Sequence, residues 1–188
     1  YLKGLPTTKV TTSEDSGDDG DYEVGVINNS NDRFSAEFTR DSGKMVYDTV
    51  TGLTWPTDLD AADAVGIAAG SVVADYAAAL TIVSTANSNA FGGYADWRLP
   101  NIFELFTLTD FETSAGSSYT IDANSGIELE TAGGAKSNRS LYWSSTPFGP
   151  TNHFVMQWRA DPAAFCCAIG DTTSNAYAIC VRGGKVND

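Results

Sequence analysis

Basic residues are scarce in this chain. Among 188 residues there are 11 Lys and Arg against 24 Asp and Glu, giving a net charge of -13 and a pI near 4.2. A nucleic-acid binder neutralises phosphates with clustered Lys and Arg, so a few scattered basic residues exclude that class. The same shortage excludes an electrostatic hold on anionic lipid. Long apolar runs are also missing. No stretch approaches 18 apolar residues, so no membrane insertion is expected of this chain. The cysteines are Cys166, Cys167 and Cys180. Neighbouring cysteines rarely pair with each other, so at most one ordinary bridge is available and a disulfide scaffold is excluded. His153 is the single histidine. With no C-x2-C spacing beside it, no metal site is expected on these residues. The hydrolase and transferase templates are absent: there is no phosphate loop with its Lys, no H-E-x-x-H and no G-x-S-x-G elbow. No carboxylate pair suited to glycoside chemistry is recognisable. A thiol nucleophile built from Cys166 or Cys167 with His153 is the enzymatic option left. The chain begins at Tyr1, from which a leader, if one existed, is expected to have been removed.

What is present suits a folded domain. The chain is 42% apolar and 19% charged, outside the disordered range. A chain of this length buries roughly two-thirds of its extended surface. Residues 1–43 read as an N-terminal arm or small β extension, with short strands expected at Tyr22–Val26 and Arg33–Thr39. Ser13 to Asp21 packs five acids into nine positions, a solvated loop that could also hold calcium, since hard cations want clustered oxygens. Lys44–Val50 reads as a strand and Thr51-Gly52 as the turn after it. Leu53, Trp55 and Leu59 supply core bulk. Ser71 is the expected cap of a first helix over Val72–Ala86, with Val72, Tyr76, Leu80 and Val83 on its buried stripe. Pro100 suits the first turn of a second helix from Asn101 to Leu108, burying Ile102, Leu105 and Phe106. Thr109 to Asn138 is rich in Ser, Thr, Gly and Asp and reads as a long irregular insertion, with a short strand near Ile127–Leu129.

From Leu141 the pattern is all β. Leu141–Thr146 is an expected strand, Pro147–Pro150 a tight turn and His153–Arg159 a second strand. Phe154, Met156 and Trp158 share the heavier face, expected inward. His153, Val155, Gln157 and Arg159 share the other, expected outward. Ala160–Thr173 reads as a loop carrying Phe165, Cys166 and Cys167, and Ala176–Val181 as a central last strand. The turns and outer face then display Phe148, Asn152, His153, Gln157, Arg159, Asp161, Phe165, Asn175 and Tyr177. Aromatic, amide and charged groups mixed in this way suit a recognition surface. The Phe165-Cys166-Cys167 run is odd in a polar loop. Either it is used at the surface or Phe165 and one Cys plug the core beneath.

Four stretches resemble the signatures of one bacterial family, in order. They are Met45–Trp55 (MVYDTVTGLTW), Gly93–Asn101 (GYADWRLPN) followed by Glu104-Leu105, Tyr142–Thr146 (YWSST) and Ala178–Arg182 (AICVR). Together they resemble the DUF1566, or Lcl C-terminal domain, family over residues 44–182. The resemblance implies an α+β, C-type-lectin-like fold: two helices packed on a small, mostly antiparallel sheet, with a loop-rich ligand face on a domain of residues 44–188. It implies a surface, secreted or virion-associated binding protein rather than an enzyme. Some members are variable proteins of diversity-generating retroelements, in which exposed positions of the last 40–50 residues are diversified. Phe148–Tyr177 lies where such variation falls. Gln157 is not a residue that such mutagenesis yields. The calcium-dependent sugar-binding triplets of true C-type lectins are absent, so a protein ligand stands beside a glycan. The helix cysteine of many members is absent too, which leaves Cys180 as a buried thiol.

The expectation is therefore a non-enzymatic, ligand-binding domain of the cell surface, extracellular space or virion. Its ligand is a protein or glycan on another cell or surface, and no cofactor is implied beyond the calcium option. Its candidate ligand residues are Phe148, Asn152, His153, Val155, Gln157, Arg159, Asp161, Phe165, Cys166, Cys167, Asn175 and Tyr177. A stalk-capping homo-oligomerisation domain and a formylglycine-generating-like or thiol enzyme are the alternatives. The charge is unevenly placed. Residues 13–37 hold eight acids against Arg33, whereas 147–177 holds Asp161 and Asp171 against Arg159. The expected ligand segment is thus nearly neutral.

Overall fold

A buried aspartate shapes the first hairpin. In the computed structural model, which describes residues 34–37, 45–57, 75–110, 120–121, 127, 141–157, 166–171 and 176–183, strands β2 (Met45–Asp48) and β3 (Leu53–Pro56) pair antiparallel. The Asp48 carboxylate accepts hydrogen bonds from the Val50 N–H at 3.0 Å and the Thr51 hydroxyl at 2.8 Å. An aspartate that captures its own downstream amides makes a turn. This ends the strand at Asp48 rather than at Val50. β3 continues the chain with all four residues buried, and Pro56 sits at its end, where a missing N–H is tolerated. β1 (Phe34–Glu37) pairs with β2, and β9 (Arg182–Gly183) pairs with β3, giving the order β1-β2-β3-β9. At Gly183, φ is +85° and a Cβ would lie 2.7 Å from the Gly52 carbonyl oxygen, so only glycine lets β9 approach the hairpin this closely.

A second sheet carries the C-terminal part. β6 (Leu141–Phe148), β7 (Asn152–Gln157) and β8 (Cys166–Asp171) pair antiparallel in that order. β8 replaces part of the loop expected over Ala160–Thr173. Six of its residues pair with the six of β7, and this pairing outweighs the polar sequence around it. The β6–β7 pair is covered on both faces. Tyr142 and Met156 join a core with Leu53, Trp55, Ile102 and Leu105. Trp143 and Val155 join a second core with Ala79, Ile82, Ala86, Trp97 and Leu99. Val155, expected outward, is therefore fully buried. Alternation marks an outer face only when one side of a sheet meets water, and here a helix covers that side.

That helix is α1, Tyr76–Ser88. Asp75 caps it, accepting from the Ala78 N–H at 2.7 Å. The expected cap Ser71 and residue Val72 lie outside the described residues. The buried stripe is Ala79, Ile82 and Ala86, and Leu80 is 47% exposed. Of the expected stripe, Tyr76 and Val83 are half-buried and pack beside this one, and only Leu80 is turned to solvent. Two alanines at the contact let the helix axis come close to the sheet. Asn89 caps the helix C-terminus, and in the last turn Asn87 donates to the Trp97 carbonyl at 2.9 Å and accepts the Trp97 N–H at 2.7 Å.

The second helix, α2, is short: Ile102–Phe106. Asn101 and Glu104 form a reciprocal capping box, so Pro100 precedes the cap instead of opening the first turn. Ile102 and Leu105 are buried as expected, but Phe106 is partly exposed. β4 (Thr109–Asp110) and β5 (Thr120–Ile121) form a small ladder inside the long insertion. Ile127 is buried in the core but not in a strand. Residues 176–181 are not the regular strand expected. Tyr177 bridges Tyr142 in parallel, Val181 bridges Arg98, and only then does β9 begin. The molecule is thus a mixed α/β unit with two helices packed against small, mostly antiparallel sheets. The expected strand at Tyr22–Val26 and the acidic loop at Ser13–Asp21 lie outside the described residues.

Candidate functional site

The tip of the β6–β7 pair is built by a break in β6. Pairing with β7 is interrupted between Trp143 and Pro147. Across the break the Ser144 hydroxyl donates to the Phe154 carbonyl at 2.7 Å, and the Ser145 N–H donates to the Pro100 carbonyl at 2.7 Å. The Ile102 N–H donates to Thr146 Oγ1 at 2.9 Å. The bulge therefore ties β6 to the entry of α2 and re-aims the residues beyond it, a common use of bulges near sites. Beyond it, Pro147 pairs with His153 and Phe148 with Asn152. Gly149 takes φ +74° in the connecting turn.

Two expected ligand residues, Phe148 and Asn152, pair on one face here, and a third, His153, lies on the opposite face against α1. Phe148 is 44% exposed, and its ring meets Phe154 edge to face at 5.2 Å. Asn152 is half-buried and lies opposite Asp171 of β8. His153 is half-buried, its ring stacked on Tyr76 at 3.6 Å with the planes 13° apart. Tyr76 also meets Trp143 edge to face at 5.5 Å. Burial lowers the His153 pKa and raises that of Tyr76. The sequence reading missed Tyr76 as a neighbour of this site, because helical spacing placed it in the core stripe. It also placed Phe154 wholly in the core, whereas Phe154 is half-buried under Phe148.

Other expected residues fall elsewhere. Gln157 is half-buried and Cys166 lies opposite it, with Cys167 opposite Met156. That end of β7 is roughly 17 Å along the strand from Asn152. The structure therefore does not bring Cys166 and Cys167 to the Phe148 tip. Val155 is in the core. Tyr177, expected on the surface, is buried: its ring stacks on Tyr142 at 5.5 Å and its N–H donates to the Leu141 carbonyl at 2.7 Å. The backbone pairing beside β6 turns the Tyr177 ring into the core that holds Tyr142, Leu53 and Trp55. Arg159, Asp161, Phe165 and Asn175 lie outside the described residues.

The described residues contain no group of three His, Cys, Asp or Glu side chains that could hold a metal. Cys180 is buried, and burial pushes its thiol up to about 12, far from thiolate formation at neutral pH. No helix among the described residues is long and apolar enough to cross a membrane.

Residues 44–182 match the family model described as the Lcl C-terminal domain, and the chain belongs to that family. No curated protein and no solved structure matches the chain.

Proposed function

We propose that this member of the Lcl C-terminal domain family is a non-enzymatic ligand-binding domain of the adhesin or receptor type, acting at a cell surface, in the extracellular space or on a virion. The observation that carries the reading is Phe148, an exposed aromatic at a bulge-built tip, backed edge to face by Phe154 and opposite Asn152. A rigid aromatic flanked by adaptable polar groups is the usual centre of a recognition surface. Two helices on small antiparallel sheets support a C-type-lectin-like fold for residues 44–188, with residues 1–43 as an extension. Positions along Phe148–Tyr177 that reach solvent are then the ones a diversifying retroelement would vary. The near-neutral charge of this segment favours a protein or glycan ligand held by packing and hydrogen bonds over one held by charge.

The test is binding of the labelled chain to arrays of glycans and immobilised surface proteins, compared between wild type, Phe148→Ser and Asn152→Ala. Loss of a wild-type signal by more than tenfold in Phe148→Ser is expected. Undiminished binding by both variants would remove the tip from the ligand face.

A second reading has an observation of its own. Phe103 on α2 is 74% exposed and Phe106, one turn on, is 37% exposed. An apolar helix face of this kind suits packing against a sister chain in a capping oligomer.

A further inference from the structure

His153 sits where the ligand tip meets α1. Its ring lies nearly parallel to that of Tyr76, the first residue of α1, and its Nδ1 is buried with no hydrogen-bond partner among the described residues. An imidazole N–H lies in the plane of its ring, so a ring stacked above that plane cannot accept its hydrogen bond. A bare lone pair at a buried Nδ1 is tolerable. A protonated imidazole must place an N–H there, and the missing acceptor then carries a full desolvation cost.

We propose that His153 is a pH-responsive tether between β7 and the first turn of α1, holding Tyr76 by stacking when neutral and loosening that contact when protonated. Among the described residues, the groups around it leave this response uncompensated. From α1, Tyr76 is neutral, and the Asp75 carboxylate is engaged by the Ala78 N–H. On β6, Pro147 is its register partner, and Trp143 shares contact with Tyr76; neither titrates. On β8, Gly170 is its register partner, and Asp171 stands opposite Asn152 instead. β7 itself carries no acid or Lys or Arg. A cation over the Tyr76 face gains some attraction, but that gain leaves the in-plane N–H without an acceptor.

The sign follows from burial. The folded chain disfavours the charged imidazole, so its pKa lies below the ordinary 6.5. Stability from this contact is complete above pH 6.5 and is lost as pH falls through the window just beneath. The chain's net charge of -13 pulls the other way at long range. Salt near 0.15 M confines that pull to about 8 Å.

The experiment is a two-dimensional NMR titration of the full chain in 0.15 M salt from pH 7.5 to 5.0. One histidine makes the imidazole signals unambiguous. We expect a His153 midpoint below 6.5, with the Tyr76, Ala77 and Ala78 amides shifting at that same midpoint. In His153→Phe, which keeps a stacking ring, the amide shifts should vanish. A midpoint at or above 6.5 overturns the proposal. So do α1 amides that stay still in the wild type, or that still shift in His153→Phe. If His153→Phe does not fold, the wild-type midpoint and co-titration decide alone.

Discussion

Val155 and Phe148 show how differently two apolar residues of one hairpin can behave. Val155 is fully buried between Trp143 and α1. Removing its two methyl groups leaves a cavity in a close-packed layer, so Val155→Ala should lower unfolding stability by about 2 kcal/mol. Phe148 stands at the tip with much of its ring in water. Phe148→Ser should cost less than about 1 kcal/mol. Urea denaturation of both variants checks the pair of values. Equal losses would mean that the tip is part of the core. From the sequence, Val155 and His153 were placed on one outer face. Their shared face is real, but α1 covers it. Periodicity reports which residues point the same way and not what they meet. Cys180 was legible as a buried thiol, through the resemblance rather than through its spacing.

At the scale of elements, α2 is too short to hold its shape by its own hydrogen bonds. Its N-terminus is locked by a side-chain junction. Arg98 donates to both Glu104 oxygens, at 2.8 and 2.6 Å, and to the Gly183 carbonyl at 3.2 Å. Glu104 Oε2 also accepts the Asn101 N–H at 2.8 Å. One arginine thus joins α2 to β9, and its own backbone pairs with Val181. Glu104 is 8% exposed, so its pairing is worth more than a surface ion pair. Glu104→Gln preserves the capping box and breaks the charged fork, and should cost about 2 kcal/mol. Glu104→Ala loses both and should cost about 1 kcal/mol more. Thermal unfolding at pH 7 measures both, and equal melting points for the two would show that the box contributes nothing. In the sequence, Glu104 stands out only as part of the second family signature. That Arg98 would turn toward it was hidden, because Gly183 lies 85 residues further on.

For the whole molecule, the open matter is association. The -13 charge acts against self-association through long-range repulsion, whereas Phe103 on α2 acts for it. If chains pack through α2, sedimentation of the wild type will show an oligomer that Phe103→Ser shifts to monomer. If the tip alone is the contact surface, both will sediment as monomers. High salt separates the two forces further, since screening the charge strengthens an apolar interface.

The sequence by itself determined the order of the parts: the hairpin signature at Met45–Trp55, a second helix beginning just after Pro100, the β6–β7 pair and the family to which residues 44–182 belong. These are local matters of turn chemistry, capping and alternation, set by neighbours a few residues apart. Only the tertiary structure decided what covers what. It laid α1 over the face that holds Val155 and His153, made a strand of Cys166–Asp171, and drew Tyr177 inward. Each of these depends on contacts between distant segments, and no local pattern carries that information. The candidate ligand surface read from the sequence shrank accordingly, to Phe148 and Asn152 backed by Phe154, with His153 turned to the α1 side against Tyr76.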